Sequence, residues 1–547
     1  MKFPEIFEKL LKAREIAPDE QADFLKPDYL KLHDPLLMPD MEKARDRIIE
    51  AIKNNQHIFV FSDYDADGIP GAVVMSDFFK RIKYENVTFY IPHRHNEGFG
   101  LNTKAIDEAV EKNTKLLITI DCGVADIAEV SYANEKGIDV IITDHHEQKE
   151  NLPKAFAIVN PMRKDSNYPF KDLCGAAVIY KVIQAIVQKE NFGVKNGMEK
   201  WSLDMVGIAT LSDMVPLRGE NRILAHFGLE VLRKSPRPGL ASLFKKLSIN
   251  QKYLTEDDVA FMITPRINAA SRMGKPEDAF QLLATSDMRE AESLAIHLES
   301  INNERKGIVA SLVKDAKKHL SKRQELKKVI VIGNPEWRPS LLGLVANSLV
   351  EEYKMPAFVW GRDGDGIIKG SCRSYGNINL CLLMDIESKS FIEHGGHSQA
   401  GGFAVSLENI SLLEDKLSVA LENSKRDIFI EKEKGEVEIQ IEYIGEDLWK
   451  TISIFAPFGV GNPKPIFRVQ NAEIKTVKTF GKTGDHIEVT FSSPKSRDVK
   501  AISFFSDQDS FGPMLSPLSH VVLDAHLEKS YFRNRPEIRL RIVDIKK

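Results

Sequence analysis

Three short apolar segments in the first 150 residues, each followed at once by acidic or histidine residues, constrain the fold most strongly. The segments are 57–62, 115–120 and 138–143, and helical spacing follows two of them, over 68–81 and over 124–136. Short apolar strands that alternate with helices are typical of an α/β domain with a mostly parallel sheet. We therefore expect such a domain in this part of the chain.

The acidic and histidine residues follow the predicted strands at their carboxyl ends. They form the motifs Asp63-Tyr-Asp-Ala-Asp-Gly68, Asp121-Cys-Gly123 and Asp144-His-His146, and Asp213 is a fourth acid that could fold back to the same edge. Ligands of open α/β sheets bind at this edge. Carboxylates gathered there repel one another unless a cation neutralises them, and a set of carboxylates and imidazoles suits Mn²⁺ or Mg²⁺. The pattern predicts a two-metal site able to activate water and to hold a phosphoryl oxygen.

Each motif has an alternative interpretation when it is taken alone. The first begins like a calcium-binding EF-hand loop, but the last ligand position of that loop is Val74 instead of glutamate, and an apolar strand precedes it instead of a helix. All three motifs also occur as solvated turns or surface residues. Their convergence on one sheet edge favours the metal site, and without a paired-cysteine motif structural zinc is not expected.

The rest of the chain indicates three further regions. Residues 286–326 have the periodicity of one long helix, which is more typical of a connection between domains than of a domain interior. A second α/β unit follows, with apolar segments at 328–333 and 357–360, and from residue 435 onward apolar and polar residues alternate. That alternation predicts a small β-barrel or sandwich.

The acidic motifs resemble motifs I to III of the DHH phosphoesterases, and Met214-Val-Pro-Leu217 after Asp213 resembles motif IV. Later segments narrow the resemblance to the RecJ family of single-strand-specific 5′→3′ exonucleases, and they stand in the family's order. These segments are Glu97-Gly-Phe-Gly-Leu-Asn102, Pro265-Arg-Ile-Asn-Ala-Ala270, Gly370-Ser-Cys-Arg-Ser374, Gly395-Gly-His397 with Ala400-Gly-Gly402, and Pro457-Phe-Gly-Val-Gly-Asn-Pro463.

The resemblance implies an α/β fold, with a DHH-type parallel-sheet domain and a DHHA1 α/β domain joined by a long helix, and a C-terminal β-barrel of the OB-fold type. The expected regions are an N-terminal cap packed on the next domain (1–45), a DHH catalytic domain (46–220), a helical connector (221–326), a DHHA1 domain (327–430) and an OB-fold nucleic-acid-binding domain (431–547). Arg338 and Ser340 stand where many members have His and Gly, which affects the expected grip on substrate but not the hydrolytic core.

By motif position, the resemblance also implies site residues. The ligands of two divalent metal ions, Mn²⁺ or Mg²⁺, would be Asp63, Asp65, Asp121, His145 and Asp213. The other catalytic residues would be Asp67, as a ligand or its support, Asp144, and His146, bonded to the scissile phosphate or to a ligand. The residues expected to hold DNA or its 5′ phosphate are Arg266, Asn268, Ser371, Arg373, Gly395, Gly396 and His397. The alternatives are a domain-interface salt bridge for Arg266, a plain turn for Gly395 and Gly396, and a structural imidazole for His397.

The C-terminal region places aromatic residues among cations, as expected of a surface that stacks bases and pairs with phosphates. The residues concerned are Tyr531, Phe532, Arg533 and Arg535. The alternative is a solvated strand face with Phe532 in the core. Because the whole chain has 75 basic and 79 acidic residues, a net charge of −4, nucleic acid would have to be bound by a local patch or through metal ions.

The resulting expectation is a metal-dependent hydrolase that shortens single-stranded DNA from its 5′ end to 5′-mononucleotides, in DNA recombination and repair. We expect a monomer that works with a single-strand-binding protein and a helicase. Four cysteines without paired spacing fit a reducing cytoplasm, and no apolar segment approaches the roughly 18 residues of a membrane span. The alternatives are a DHH phosphodiesterase acting on short oligoribonucleotides or on a 3′,5′-bisphosphate nucleotide, and a scaffold that binds single strands without cutting them.

Overall fold

The computed structural model divides the chain into two compact units. The first contains residues 1–271, 275–298 and 434–547, and the second contains residues 272–274 and 299–433. The described residues are 2–546 without 95, 149, 363–366, 397, 425–435, 482–483, 485, 495–496, 505, 507–510, 512–514 and 532–535. Among these residues, every helix is too short or too polar to span a bilayer.

A parallel five-stranded sheet forms the N-terminal part of the first unit. Its strands are β1 (Ile58–Ser62), β2 (Val87–Tyr90), β3 (Leu116–Ile120), β4 (Asp139–Thr143) and β5 (Ala157–Val159), in the order β2-β1-β3-β4-β5. The helices before, between and after them are α1 (Pro4–Ala13), α2 (Gln21–Leu25), α3 (Met41–Lys53), α4 (Gly68–Arg81), α5 (Thr103–Glu111), α6 (Ile127–Glu135) and α7 (Gly175–Lys189). Every residue of β1 and β3 is buried, which explains their continuous apolar sequences. The predicted parallel sheet is confirmed, with each of its three main strands beginning one residue later than expected.

Helices follow the sheet and lead into the long predicted helix. They are α8 (Leu203–Ser212), α9 (Gly219–Leu232), α10 (Pro238–Leu247), α11 (Thr264–Met273), α12 (Glu277–Ala284) and α13 (Met288–Leu320), with a π-helical segment at Asp258–Ile263 before α11. Helix α13 is 33 residues long, so the expected long helix is present within narrower bounds.

Helices α8 and α9 cross in close contact because a glycine stands at the crossing on each. A Cβ atom on Gly207 would lie 2.7 Å from the Cα atom of Gly228. We expect Gly207→Ala to destabilise the protein by about 1–3 kcal/mol, since the helices must move apart to admit the methyl group. Urea unfolding measures this change. The control is Gly307→Ala in α13, where no atom lies within 4 Å of the new methyl group. That variant should be as stable as the parent or more stable, by up to about 1 kcal/mol, and equal losses in both would contradict the crossing argument.

The second unit is built on a mixed sheet. Its strands are β6 (Ile330–Gly333), β7 (Ala357–Arg362), β8 (Ile368–Arg373), β9 (Glu393–Gly396) and β10 (Ala400–Val405), in the order β6-β7-β8-β10-β9. Its helices are α14 (Pro339–Tyr353), α15 (Leu380–Ile386) and α16 (Leu407–Asn423). Strands β6 and β7 are parallel and the other pairs are antiparallel, so this is the expected second α/β unit.

The C-terminal part of the first unit is a closed β-barrel. Its elements are β11 (Glu436–Ile439), α17 (Glu446–Ser453), β12 (Ile466–Phe480), β13 (His486–Phe491), β14 (Val499–Phe504), β15 (His520–Ser530) and β16 (Glu537–Lys546). The strand order is β11-β12-β13-β14-β16-β15, and an additional pairing of β12 with β15 closes the barrel. The predicted barrel is confirmed.

The N-terminal segment is not only a cap on the domain that follows it. Helix α1 buries Ile6, Leu10 and Leu11 in the hydrophobic core of the C-terminal barrel. Helix α3 instead lies against the parallel sheet, where Arg47 donates to Asp139 at the start of β4 (2.7 Å). The amphipathic pattern of α1 predicts a buried face, but the partner of that face lies more than 400 residues away in the sequence.

A buried arginine joins three parts of the first unit. The guanidinium of Arg222, in α9, donates to the backbone carbonyls of Phe24 (2.5 Å), Ala456 (3.0 Å) and Pro457 (3.4 Å). Its planar group also lies over the ring of Phe24, 3.7 Å from the ring centre. We call this arrangement the Arg222 clamp. Beside it, Leu217 donates its backbone N–H to Val460 (2.8 Å), so the barrel is held against the segment that follows α8.

Candidate metal centre

Three strands of the parallel sheet bring acidic side chains to one edge. Asp63, Asp121 and Asp144 each follow the last residue of β1, β3 or β4, and each donates its backbone N–H to a carbonyl oxygen of the adjacent strand. This register sets the three residues at the same level of the sheet. The convergence expected from the sequence is therefore present in the structure.

The side chains of these loops form overlapping groups that could hold metal ions. The groups are Asp63, Asp65 and Asp121; Asp67, His145 and Asp213; and Asp121, His145 and His146, and within each group the ligand atoms lie within 4.8 Å of one another. Asp213 directly follows α8 and does fold back to the sheet edge. The structure thus brings all five predicted metal ligands together.

His145 is the centre of this arrangement. Its Nε2 atom lies 3.1 Å from Oδ1 of Asp121, 3.7 Å from Oδ2 of Asp67 and 3.8 Å from Oδ2 of Asp213. Burial is the largest effect on its imidazole and lowers the pKa. The charge of Asp67 acts in the opposite direction but is smaller, so the pKa is lowered overall. A neutral imidazole is the form that binds a metal ion.

The carboxylates of the centre lack sufficient positive charge around them. Burial and the neighbouring acids raise the pKa of Asp63 and of Asp121 well above the usual range, and raise that of Asp213 to about 9. Among the described residues, no donor bonds to Oδ1 of Asp63, although that atom is buried. Oxygen and imidazole donors without thiolate are the ligands that Mn²⁺ and Mg²⁺ prefer. The residues therefore fit the divalent cations expected from the sequence.

Asp67 is held by the first turn of α7. Its Oδ2 atom accepts the backbone N–H of Gly175 (2.6 Å), and its Oδ1 atom accepts that of Ala176 (2.8 Å). The N-terminus of a helix stabilises negative charge. Burial still raises the pKa of the Asp67 carboxyl. Asp67 was expected either to bind a metal ion or to support a residue that does, and the supporting role agrees better with these bonds. The sequence analysis did not single out Gly175 and Ala176, although small residues at the start of a predicted helix are a usable signal.

Asp144 positions its neighbours instead of facing a substrate. Its Oδ1 atom accepts the backbone N–H groups of His145 (2.7 Å) and His146 (3.0 Å) and lies 2.7 Å from Nδ1 of His146, while its Oδ2 atom accepts the N–H of Val124 (2.9 Å). Only 1% of its side chain is exposed. Its expected place among the catalytic residues stays a prediction, and within that set a positioning role agrees best with these bonds, because both of its oxygens are bonded within the protein. Burial alone would lower the pKa of His146, but the bond to Asp144 and the charges of Asp144, Asp213 and Asp63 together outweigh it and raise the pKa to about 9.

This arrangement predicts the effect of Asp144→Asn. An asparagine turns one acceptor into a donor among four N–H groups, so the two histidines should lose their orientation. We expect hydrolysis of substrate to fall about 10- to 100-fold, the range seen when a partner of a metal ligand is removed. Steady-state kinetics on a defined strand measure the change. Asp165→Asn, at an exposed carboxylate paired with Arg163, is the control and should leave the rate unchanged. A normal rate for Asp144→Asn would contradict the positioning role.

Two residues expected at DNA phosphate make contacts inside the protein. Oδ1 of Asn268 accepts the backbone N–H of Ala66 (3.0 Å), so Asn268 fixes the loop that carries Asp65 and Asp67. Arg266 is 4% exposed, and its Nη1 atom donates to the carbonyl of Met262 one turn earlier (3.0 Å). The expected contact of these two residues with DNA phosphate stays a prediction. The role of Asn268 had no sequence signal, because its partner lies 202 residues away.

The remaining predicted phosphate ligands lie in the second unit. Ser371 and Arg373 are on β8, Gly395 and Gly396 are on β9, and Ser371 and Gly395 pair with the same glycine of β10 from its two sides. Gly395 and Gly396 thus belong to a strand and not to a plain turn. The guanidinium of Arg373 donates to the carbonyl of Cys372 (2.8 Å), and burial lowers its pKa. His397 lies outside the described residues.

Of the four residues predicted to bind the strand at the barrel, the structure describes Tyr531. Its ring is stacked on that of Tyr253, with ring centres 4.1 Å apart and an angle of 3° between the planes. Phe532, Arg533 and Arg535 lie outside the described residues. The sequence analysis missed Tyr253, whose neighbour Lys252 lies 5.5 Å from its ring and offers the signal of a cation beside an aromatic residue.

Comparison with known proteins matches three family models in succession. They are the DHH family N-terminal domain over residues 57–210, the DHHA1 domain over 326–423 and the RecJ OB domain over 436–544. The single-stranded-DNA-specific exonuclease RecJ of Bacillus subtilis is 33% identical over 95% of this chain, which spans 65% of the length of that relative. The protein of the same name from Haemophilus influenzae is 28% identical, over 98% of this chain and 95% of the relative.

Solved structures show the same relationship. A crystal structure of RecJ in complex with Mn²⁺ from Thermus thermophilus matches with a TM-score of 0.78 and 25% identity, over 99% of this chain and 78% of that one. A structure of exonuclease RecJ bound to manganese matches with a TM-score of 0.58 and 29% identity, over 71% of this chain and 96% of that one. Both relatives were solved with the ion that the acidic cluster described above suits.

Proposed function

The chain belongs to the RecJ family of DHH phosphoesterases, and from this premise we propose that it is a metal-dependent exonuclease that shortens single-stranded DNA from its 5′ end to 5′-mononucleotides. We propose DNA recombination and repair as its setting. The monomeric state, the cytoplasmic location, the expected domain boundaries and the contacts with a single-strand-binding protein and a helicase stay predictions.

The observation that carries the proposal is the crowding of acids at one sheet edge. Asp63, Asp65 and Asp121 place their oxygens within 4.8 Å of one another, and the pKa values of Asp63 and Asp121 are raised by burial and by the acids around them. An arrangement with this much repulsion costs stability unless cations bind. All of the acids and both histidines of the motifs are in place, which favours an enzyme over a scaffold that only binds strands.

The chain's own residues supply orientation for the reaction. Divalent cations, when bound here, stabilise negative charge on a phosphoryl oxygen and lower the pKa of water. Asn268 fixes the loop of Asp65, and the first turn of α7 fixes Asp67. His146 has 45% of its side chain exposed and its Nδ1 atom fixed against Asp144, so its Nε2 atom is the one that can donate to a phosphate oxygen.

The test is hydrolysis of a 5′-phosphorylated, 3′-labelled single-stranded oligonucleotide in Mn²⁺. The wild type is compared with the double variant Asp144→Ala/His145→Ala and with the control Asp165→Asn. We expect progressive shortening from the 5′ end in the wild type and the control, and no shortening in the double variant or in EDTA.

Other outcomes would replace the proposal. Turnover of very short RNA without shortening of DNA would assign the protein to the small-substrate phosphodiesterases. Tight binding of strands in EDTA, with no hydrolysis of either substrate in Mn²⁺, would make it a binding scaffold.

A further inference from the structure

A cavity of about 560 Å³ lies in the first unit, next to the metal centre. One wall is the segment 210–217, which runs through Asp213, and a second is formed by residues 256–264, which include the π-helical segment. The third wall is the barrel loop 458–464. We call this the connector cavity, and no step of the proposed hydrolysis uses it.

The lining of the connector cavity is mostly apolar, and several of its side chains are unusually exposed. Met214 is 69% exposed, Phe261 is 61% exposed and Val460 is 41% exposed. Phe458 and Leu217 complete the apolar surface and are themselves buried. Large apolar side chains left open to solvent around a concave surface are typical of a binding site.

The charged side chains of the cavity argue against binding of a nucleic-acid phosphate there. Its charged side chains are Glu256, Asp257 and Lys464, all of which the structure describes. Lys464, the one cation among these lining residues, is paired with Asp257. The cavity therefore offers no net positive charge to a phosphate, and a neutral flat ring is the ligand that its apolar walls favour.

The cavity and the metal centre share one loop of the chain. Ser212 and Met214 both line it, and the residue between them, Asp213, has Oδ2 3.8 Å from Nε2 of His145. Met214 has a positive φ of 61°, so the chain turns sharply at this point and directs neighbouring side chains to different sides. A nucleotide carries its base and its phosphate on opposite sides of one sugar. A strand with a phosphate at the acids can thus place a base in the cavity.

We propose that the connector cavity is a nucleobase subsite, which takes the base of a nucleotide close to the scissile phosphate of a single strand. The inference rests on the proposed function. Phe261 and Met214 provide the surface on which the base stacks, and every base has a flat face, so the subsite accepts all four bases. It grips an unpaired base and has no means to grip a base that is stacked within a duplex.

The first test uses 5′-phosphorylated strands with a single abasic nucleotide at successive positions from the 5′ end. Because stacking of one base on aromatic side chains contributes about 1–3 kcal/mol, kcat/KM should fall about 5- to 150-fold when the abasic position is the one that occupies the cavity. Equal hydrolysis of all the abasic strands would overturn the proposal.

The second test removes the stacking surface. Phe261→Ala should lower kcat/KM on an intact strand and abolish the difference between the intact strand and the sensitive abasic one. Because Phe261 is 61% exposed, this variant is expected to fold. Trp201→Ala, at another exposed aromatic residue outside the cavity, should keep both the rate and the difference. A Phe261→Ala variant that still discriminates against the abasic strand would overturn the proposal.

A binding measurement separates this inference from the proposed function. The protein in EDTA is mixed with a strand that carries 2-aminopurine at the sensitive position. If no strand is cut, 2-aminopurine is placed at each of the first positions in turn. Quenching of its fluorescence by the wild type but not by Phe261→Ala supports the subsite even if hydrolysis fails. Absence of quenching by the wild type overturns the subsite while leaving hydrolysis as an independent result.

Discussion

Asp121→Asn is expected to lower Mn²⁺-dependent hydrolysis by about a thousandfold or more, because it removes charge from the point where two ligand groups meet. Asp121 belongs to the group with Asp63 and Asp65 and to the group with the two histidines. It is 3% exposed and directly follows β3. Rates on a labelled single strand, across a range of Mn²⁺ concentrations, measure the loss.

The same change should make the metal-free protein more stable. In EDTA the buried acids repel one another, and removal of one charge relieves repulsion on the others. We expect a gain of about 0.5–2 kcal/mol in the free energy of unfolding, as is common when a functional strain is removed. Mn²⁺ should raise the melting temperature of the wild type and have little effect on the variant, because a ligand stabilises only the state that binds it.

The control for both measurements is Asp165→Asn, at a surface carboxylate. This variant should keep the activity, the metal-free stability and the Mn²⁺-dependent rise in melting temperature. If Asp121→Asn also kept its activity and its response to Mn²⁺, the metal centre would have to lie elsewhere.

The second large effect is expected at the Arg222 clamp. Arg222→Met keeps much of the side-chain volume but leaves the carbonyls of Phe24 and Ala456 without this donor, while that of Pro457 keeps its bond from Nδ2 of Asn462 (2.7 Å). Unpaired buried acceptors cost about 1–3 kcal/mol each, and partial access of water reduces the sum, so we expect a loss on the order of 2–4 kcal/mol. Urea unfolding and limited proteolysis of the barrel measure the effect.

A matched variant identifies the cause of that loss. Lys234→Met, at an exposed position just after α9, removes a positive charge without a buried partner and should leave stability unchanged. Arg222→Lys keeps the charge but not the planar group, so it should recover part of the stability only. Equal stability of Arg222→Met and the parent protein would show that the clamp is not needed.

The sequence predicts the parallel sheet and its acidic edge well because both depend on local information. Strands buried on both faces appear as continuous apolar segments, and Asp63, Asp121 and Asp144 directly follow such segments. The return of Asp213 to the sheet edge was proposed from its residue type and supported by the resemblance of the residues after it to a motif, and no periodicity in the sequence would have located it. Asp213 directly follows α8, which crosses α9 in close contact at Gly207 and Gly228.

Contacts between distant parts of the chain could not be predicted. Asn268 accepts the backbone N–H of Ala66, and a polar side chain alone does not reveal such a partner. Arg266 was placed at DNA by its motif position, and the sequence does not show that it is 4% exposed. Helix α1 has a clear apolar face, but the sequence does not show that the C-terminal barrel covers it.

The Arg222 clamp and the discontinuous first unit determine which contacts can form while the chain is still being synthesised. All the acids of the metal centre have been synthesised by residue 213, whereas two of the three carbonyls that accept from Arg222 belong to residues 456 and 457. Until the barrel is made, α1 has no core to enter and Arg222 has an incomplete set of acceptors. A nascent or truncated chain thus has the residues of the metal centre without the barrel contacts of α1 and Arg222. Because partly folded chains are preferentially degraded in cells, we expect truncation before the barrel to lower the amount of protein that accumulates.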